Sequence, residues 1–302
     1  MCIGISKQGY HQWLERRIKT QSEQKQLLLI IHQLRQQHPT MGCRDMYHKL
    51  KPISMGRDAF ESFCREENLM VARMKNWRRT TDSNGTTRFD NLMESLQLTA
   101  INQLWQSDIT YFELNNKFYY ITFIIDAFSR RIVGHQCSKS LSTETTTLPA
   151  LKMAIALRSQ NNLKGLIFHS DGGGQYYDKE FLKLTAQHQI NNSMCEYAWE
   201  NGKAERINGV IKNNYLIHRD IKHFEQLVKE VDRSVHLYNS DKPHIALQRK
   251  APIIFENEYN CYAKKSEEEK GAQKAPFTSK EYNIQNNLNI KNKLQLKTVN
   301  VI

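Results

Sequence analysis

The chain has no apolar run near the ~18 residues that crossing a membrane requires, and no secretory leader pattern. Its six cysteines, Cys2, Cys43, Cys64, Cys137, Cys195 and Cys261, are scattered without a C-x-x-C pair. A zinc finger needs clustered ligands, so that class is set aside, and the cysteines read as small buried apolar residues in a reducing compartment. Negative charge is also short. Against 43 Lys and Arg there are 31 Asp and Glu, a net charge of +12. The expectation is a soluble cytoplasmic, nucleoid-associated protein with no membrane partner and a polyanionic one, because neutralising phosphates releases counterions. The excess is uneven: residues 1–90 hold 16 basic and 9 acidic side chains.

What is present organises into segments. Leu27, Ile30, Ile31 and Leu34 keep a helical period over 21–37, and HPTMG (38–42) interrupts it. Met46, Tyr47 and Leu50 mark a second short helix, and Phe60, Phe63 and Cys64 a third. Three short helices with tight turns fit a helix-turn-helix module, in which Arg44, Lys49, Arg57 and Arg65 would face DNA. Any small three-helix domain gives the same pattern. In VARMKNWRR, Arg73, Lys75 and Arg79 interleave with Val71, Met74 and Trp77, which suits an arm along a phosphate backbone or a solvated linker. The expected division is a DNA-binding module with its basic arm over 1–79, a linker over 80–97, a catalytic core over 98–260 and a basic polar tail over 261–302.

From about residue 98 the texture becomes β-like. LWQSDITYFEL, FYYITFIID and RRIVGHQC, separated by turns at 115–117 and 127–130, predict an antiparallel meander. Helices are expected over 143–158, 178–188, 200–217 and 223–239, with strands at 165–170 and near 190–194. That order predicts an α/β fold, a mixed sheet with helices on its faces. No fold is expected for the first half of the tail, while LQLKTVNVI at its end alternates like a strand.

Three acids stand out. Asp108 lies mid-strand among apolar residues, where an unpaired ion costs several kcal/mol; its alternative reading is a hydrogen-bonded structural acid. Asp171 follows the strand GLIFHS and opens GGGQY, at a strand's carboxyl end where ligands gather in open sheets. Glu205 sits on a basic helix with Asn208 and Lys212, and positions seven apart return to within ~20° of one face. Glu200 is a rival acid about 140° round that helix. His169 and Ser170 read as strand-end hydrogen-bonders, Gln175 and Tyr176 as DNA-orienting or turn-closing, and Glu113, Asp126 and Asp178 as turn, cap or surface acids. Three carboxylates from separate elements suit magnesium, which prefers oxygen ligands and keeps room for substrate phosphate.

These residues resemble the DDE triad of the retroviral-integrase-like transposases, most closely the bacterial insertion-sequence group whose second reading frame encodes the catalytic part. WQSDITY, DAFSRRIVG, HSDGGGQY and YNSDKPHIAL carry the resemblance in order, with QQHPTMGCRDMYHKL upstream and Pro252 downstream; it spans about residues 5–260. It implies an RNase H-like core preceded by a small all-α helix-turn-helix module. It also implies strand cleavage at element ends and transfer of the 3′-hydroxyl to target DNA. Asp108, Asp171 and Glu205 would ligate two Mg2+ ions, with Mn2+ as a substitute. Lys212 would match the family's DNA-contacting basic residue, joined by Asn208, Arg44, Arg57, Arg73, Lys75 and Arg79. The implied partners are double-stranded DNA, further copies of the chain assembled on it, and an upstream-frame DNA-binding protein, of which this chain would be the catalytic continuation. The alternatives are a DNA-binding regulator inactive without that upstream portion, or a plain RNase H-like nuclease. Two departures concern the loop CEYAWENGKA: the 33 residues between Asp171 and Glu205 are fewer than the family's usual interval, and Arg206 stands where serine is more usual.

Overall fold

The computed structural model describes residues 6–72, 89–93, 96–195 and 198–270. The chain divides into two compact units between Arg78 and Arg79. The first contains α1 (Lys7–Gln37), α2 (Cys43–Leu50) and α3 (Arg57–Glu66). α1 is not short: it runs for 31 residues from a Ser6 cap whose hydroxyl accepts the Gly9 amide at 3.1 Å. No proline interrupts it, and its Gln, Glu, Lys, Arg and Leu are good helix formers. It stops at His38 because the residue before Pro39 disfavours helical angles. Only Leu27, Ile31 and Leu34 of α1 are buried, and they pack with Met46, Phe60, Phe63 and Cys64; Ile30, expected on that face, is exposed.

The second unit is built on one five-stranded sheet, ordered β3-β2-β1-β4-β5, from β1 (Leu104–Leu114), β2 (Lys117–Asp126), β3 (Ile132–Ser138), β4 (Ile167–Ser170) and β5 (Asn191–Met194). β1, β2 and β3 pair antiparallel, and β4 and β5 extend the sheet in parallel from β1. The β1–β2 hairpin turns on Asn115 and Asn116, at φ 53° and 58°; asparagine tolerates the left-handed angles that a two-residue hairpin demands. Both faces are covered. α4 (Thr147–Leu157) and α5 (Lys179–Gln187) lie over Trp105, Ile124, Val133 and Phe168. α6 (Gly202–Asn214) and α7 (Phe224–Ser240) lie over Phe112, Ile121, Phe123 and Ile125. Alternation along β1 therefore directs Trp105 to the first face and Phe112 to the second, and Asp108 shares parity with Phe112.

Two sequence motifs acquire structural reasons here. In DAFSRRIVG, a Cβ on Gly134 would come within 2.2 Å of the Ala150 carbonyl oxygen in α4, so only glycine lets helix and strand approach this closely. Gly134→Ala should cost about 1–3 kcal/mol through overpacking; a chemical-denaturation midpoint equal to wild type would contradict that contact. In YNSDKPHIAL, Asn239 caps the exposed edge of β3. Its Oδ1 accepts the Ile132 amide at 2.9 Å, and its Nδ2 donates to the Ile132 carbonyl at 2.8 Å.

α8 (Pro252–Lys270) begins at the expected Ala-Pro step and continues into the segment read as a tail. It docks through Phe255, against Phe128 and Leu247, and through Glu256. The buried Glu256 carboxylate accepts from Arg158 (in a two-nitrogen fork), from Arg131 at 2.6 Å and from the Ser129 hydroxyl at 2.6 Å. Burial opposes ionisation of Glu256, but these donors outweigh it and hold the carboxyl below its ordinary range.

Candidate active site

The centre of the sheet carries the acids. Asp108 stands on β1 opposite Phe123, with α6 above it. Its Oδ1 accepts its neighbour Ile109's amide at 2.9 Å, and its Oδ2 accepts Asn208 Nδ2 at 2.7 Å. Burial pushes its carboxyl up to about 7. The charge of Asp171 adds to the rise and that of Glu205 adds less, while the two hydrogen bonds oppose it. Asp171 begins where β4 ends, one residue past Ser170, which pairs with Ser107 of β1. Burial raises its carboxyl too, against one hydrogen bond from the Gly173 amide to Oδ1 at 3.2 Å. Glu205 lies exposed in the first turn of α6. The three acids thus share one electrostatic field.

The donor set is all oxygen, and the buried Asn208 Oδ1 beside it has no hydrogen-bond partner. That chemistry and the negative charge suit a hard dication. The convergence is incomplete: among the described residues, no three His, Cys, Asp or Glu side chains are arranged to hold an ion.

The surrounding residues sort differently from the sequence reading. Asn208, expected at DNA, is instead buried beneath the site and holds Asp108. Its signal was present: it lies one turn after Glu205, on the helix that crosses β1. Lys212 is half-buried, with its Nζ donating to the Tyr111 carbonyl at 3.2 Å. Arg44 and Arg57 of the first unit are exposed and paired, with Glu61 at 2.7 Å and Asp58 at 2.8 Å. Arg73, Lys75 and Arg79 lie outside the described residues, as does LQLKTVNVI.

Gln175 and Tyr176 close the glycine-rich turn. Gln175 Nε2 donates to the Leu141 carbonyl at 3.0 Å, and the buried Tyr176 hydroxyl meets Ser107 Oγ at 2.9 Å. His169 is buried, with Nδ1 at 3.0 Å from Ser193 Oγ. Burial lowers its ring to about 4 despite the charge of Glu200, so it is neutral at pH 7 and acts as a strand-to-strand tie. Glu200 contributes its carbonyl, which accepts Gln106 Nε2 at 3.2 Å. Asp178 caps α5 by accepting the Glu180 amide, and Asp126 closes the β2–β3 turn by accepting the Phe128 and Ser129 amides. Asn201 was not anticipated. Buried before α6, it donates to the Ser107 carbonyl at 2.8 Å and so ties the entry of that helix to β1.

A mixed sheet in this order, with acids on its central strand, at the end of its neighbour and on the helix above, defines an integrase-type core. Comparison with known proteins agrees. The integrase core domain family matches residues 99–198, and a second integrase core domain family matches 187–252. An uncharacterized 31 kDa protein of insertion element IS600 from Shigella sonnei is 27% identical over 275 residues, 87% of this chain and 100% of that protein. The transposase for insertion sequence element IS629, from the same organism, is 32% identical over 151 residues, covering 49% of this chain and 49% of the relative. Among solved structures, the catalytic core domain of HTLV-2 integrase in complex with magnesium aligns with a TM-score of 0.42 at 23% identity, over 51% of this chain and 96% of that one. The chain carries an integrase core domain, and these relatives support an insertion-sequence transposase of the integrase-like superfamily, of the polynucleotidyl transferase type.

Proposed function

We propose that this chain cleaves DNA strands at the ends of an insertion sequence and transfers the freed 3′-hydroxyl to target DNA. Asp108, Asp171 and Glu205 would hold two magnesium ions, or manganese in their place. The observation that carries this reading is the field at Asp108. A carboxylate on the central strand, raised to about 7 and facing two further acids, is a costly arrangement that bound cations would relieve. When bound, magnesium supplies charge stabilisation to the attacking and leaving oxygens of an in-line displacement. The chain's own part is positioning. Asn208 orients Asp108, the Gly173 amide orients Asp171, and inward movement of the first turn of α6 would bring Glu205 to complete the set. Residues 1–79 would engage DNA as a helix-turn-helix module with a basic arm, 80–97 would link it to the core at 98–260, and 261–302 would follow as a tail. Double-stranded DNA at element ends and target would be the substrate, on which copies of the chain assemble, with an upstream-frame DNA-binding protein as a further partner.

The test is strand transfer with element-end DNA and magnesium, comparing wild type with Glu205→Gln. Loss of at least about a thousandfold is expected, the scale of removing electrostatic stabilisation from a phosphoryl-transfer site. Equal activity in both proteins would reject the role of Glu205. Inactivity in both, with DNA binding intact, would favour the regulator.

A further inference from the structure

Three consecutive residues of β1 grip α6 and the turn before it. The buried Gln106 donates through Nε2 to the Glu200 carbonyl at 3.2 Å and meets the Met93 sulfur at 3.5 Å. The Ser107 carbonyl accepts Asn201 Nδ2 at 2.8 Å, and the Asp108 carboxylate accepts Asn208 Nδ2 at 2.7 Å. Glu200 and Asn201 close a turn of 3-10 helix over Ala198–Asn201, and α6 follows at once. β4 ends at Ser170, the partner of Ser107, so Asn201 takes hold of β1 at the level where its parallel neighbour stops.

Asn201 is the N-cap of α6, where asparagine ordinarily turns its side-chain oxygen onto the first free amides of the helix. Here it makes no such bond. Its amide group turns to β1 instead, and its buried Oδ1 has no partner among the described residues. An unmade cap and an orphaned buried acceptor both cost stability. A helix that had only to fold would use the cap, and the position of the tie supplies another reason for it. At 100° per residue, positions 201, 205 and 208 fall within an arc of about 60° on one face of α6. Glu205 stands about 6 Å beyond Asn201 and about 4.5 Å short of Asn208 along the axis, between two asparagines that both hold β1.

We propose that Gln106 and Asn201 are positioning residues for Glu205. With Asn208 they clamp α6 to the strand that carries Asp108, on both sides of Glu205, and so set the reach of its carboxylate toward a dication. This rests on the transposase reading and deepens it. With the backbone held before and after Glu205, only its side chain and the short stretch that bears it have to order when the metal binds. The clamp closes on residues that follow β5, so the place of Glu205 is set by β1 and not by the number of residues since Asp171.

The test titrates Mn2+ alone into the full chain and follows water-proton relaxation, for wild type, Asn201→Ala, Glu205→Gln and the double variant. Asn201→Ala should weaken Mn2+ binding about tenfold, the scale of losing a group that orients a metal ligand, and Glu205→Gln by at least as much. The double variant should bind no more weakly than Glu205→Gln, because Asn201 acts through Glu205. A further tenfold loss in the double variant would overturn the clamp, since additive losses mark a general structural defect. Circular dichroism shows whether Asn201→Ala folds. If it does not, Gln106→Met, which keeps the side-chain length and loses the bond to the Glu200 carbonyl, goes through the same cycle with the same outcomes. If wild type bound no Mn2+, or Glu205→Gln bound it equally well, the assignment of Glu205 as a ligand would fall and the clamp with it. Binding weakened by Glu205→Gln but not by Asn201→Ala would remove the clamp alone.

Discussion

Asp108→Asn should abolish strand transfer and, in the same protein, raise the melting temperature measured without metal at pH 8. The two effects have one cause. In the folded chain, burial and the neighbouring acids lift the Asp108 carboxyl from 3.8 to about 7. Relative to the unfolded chain, the metal-free fold is therefore favoured most below pH ~4, and it loses that advantage as pH rises through about 7. Asparagine removes the charge but keeps the shape, and can still accept the Ile109 amide. Turning the Asn208 amide would then offer its unpartnered Oδ1 to the new side chain. A gain of about 4–8 °C at pH 8, shrinking to nothing near pH 4, corresponds to roughly 2 kcal/mol for a unit of this size. A variant melting below wild type at pH 8 would contradict the burdened-carboxylate account. If Asp108 holds magnesium as proposed, the same proton competes with it. The apparent magnesium affinity of wild type, followed by calorimetry, should be constant above pH ~8 and fall by up to about tenfold per unit below pH 7.

Glu256→Ala should be the most destabilising single change in the second unit. Glu256 is the common acceptor for Arg158, Arg131 and Ser129, and its removal leaves the buried Arg158 guanidinium without its carboxylate. Breaking a buried pair from one side typically costs 3–5 kcal/mol, far more than the pair's net worth. A loss of about 10 °C or more is expected, with α8 the first element to gain amide hydrogen exchange. If Glu256→Ala melted within about 2 °C of wild type, the network would be a surface-like pairing of little consequence. Because this carboxyl titrates below its ordinary range in the fold, its contribution is present at neutral pH and is lost only as pH falls through the lowered value.

Much of the candidate site is legible in the sequence because its signals are local. Asp108 interrupts an apolar strand, Asp171 ends one before glycines, and Glu205 and Lys212 share a helical face; each is a statement about neighbours in the chain. Asn208 shows where local signals stop. On a basic helix it reads as a DNA contact, and only the crossing of α6 over β1 turns it inward to Asp108. The length of α1 is not legible in the sequence, because its apolar period fades before residue 21 whereas the helix continues on propensity alone.

Period and turn chemistry in the chain alone determined the order of strands and helices and the two antiparallel hairpins, and its net charge of +12 is likewise a property of the sequence. These follow from interactions among residues close in sequence, or from the sum of charges, and need no three-dimensional arrangement. The tertiary structure decided which side chains share a field. Adding β4 and β5 in parallel beyond β1, and laying α6 across the sheet, raises the Asp108 carboxyl, buries Asn208 and gives Glu256 its arginines. Burial and Coulomb forces between residues a hundred positions apart depend on distance in space, and sequence separation does not supply that distance.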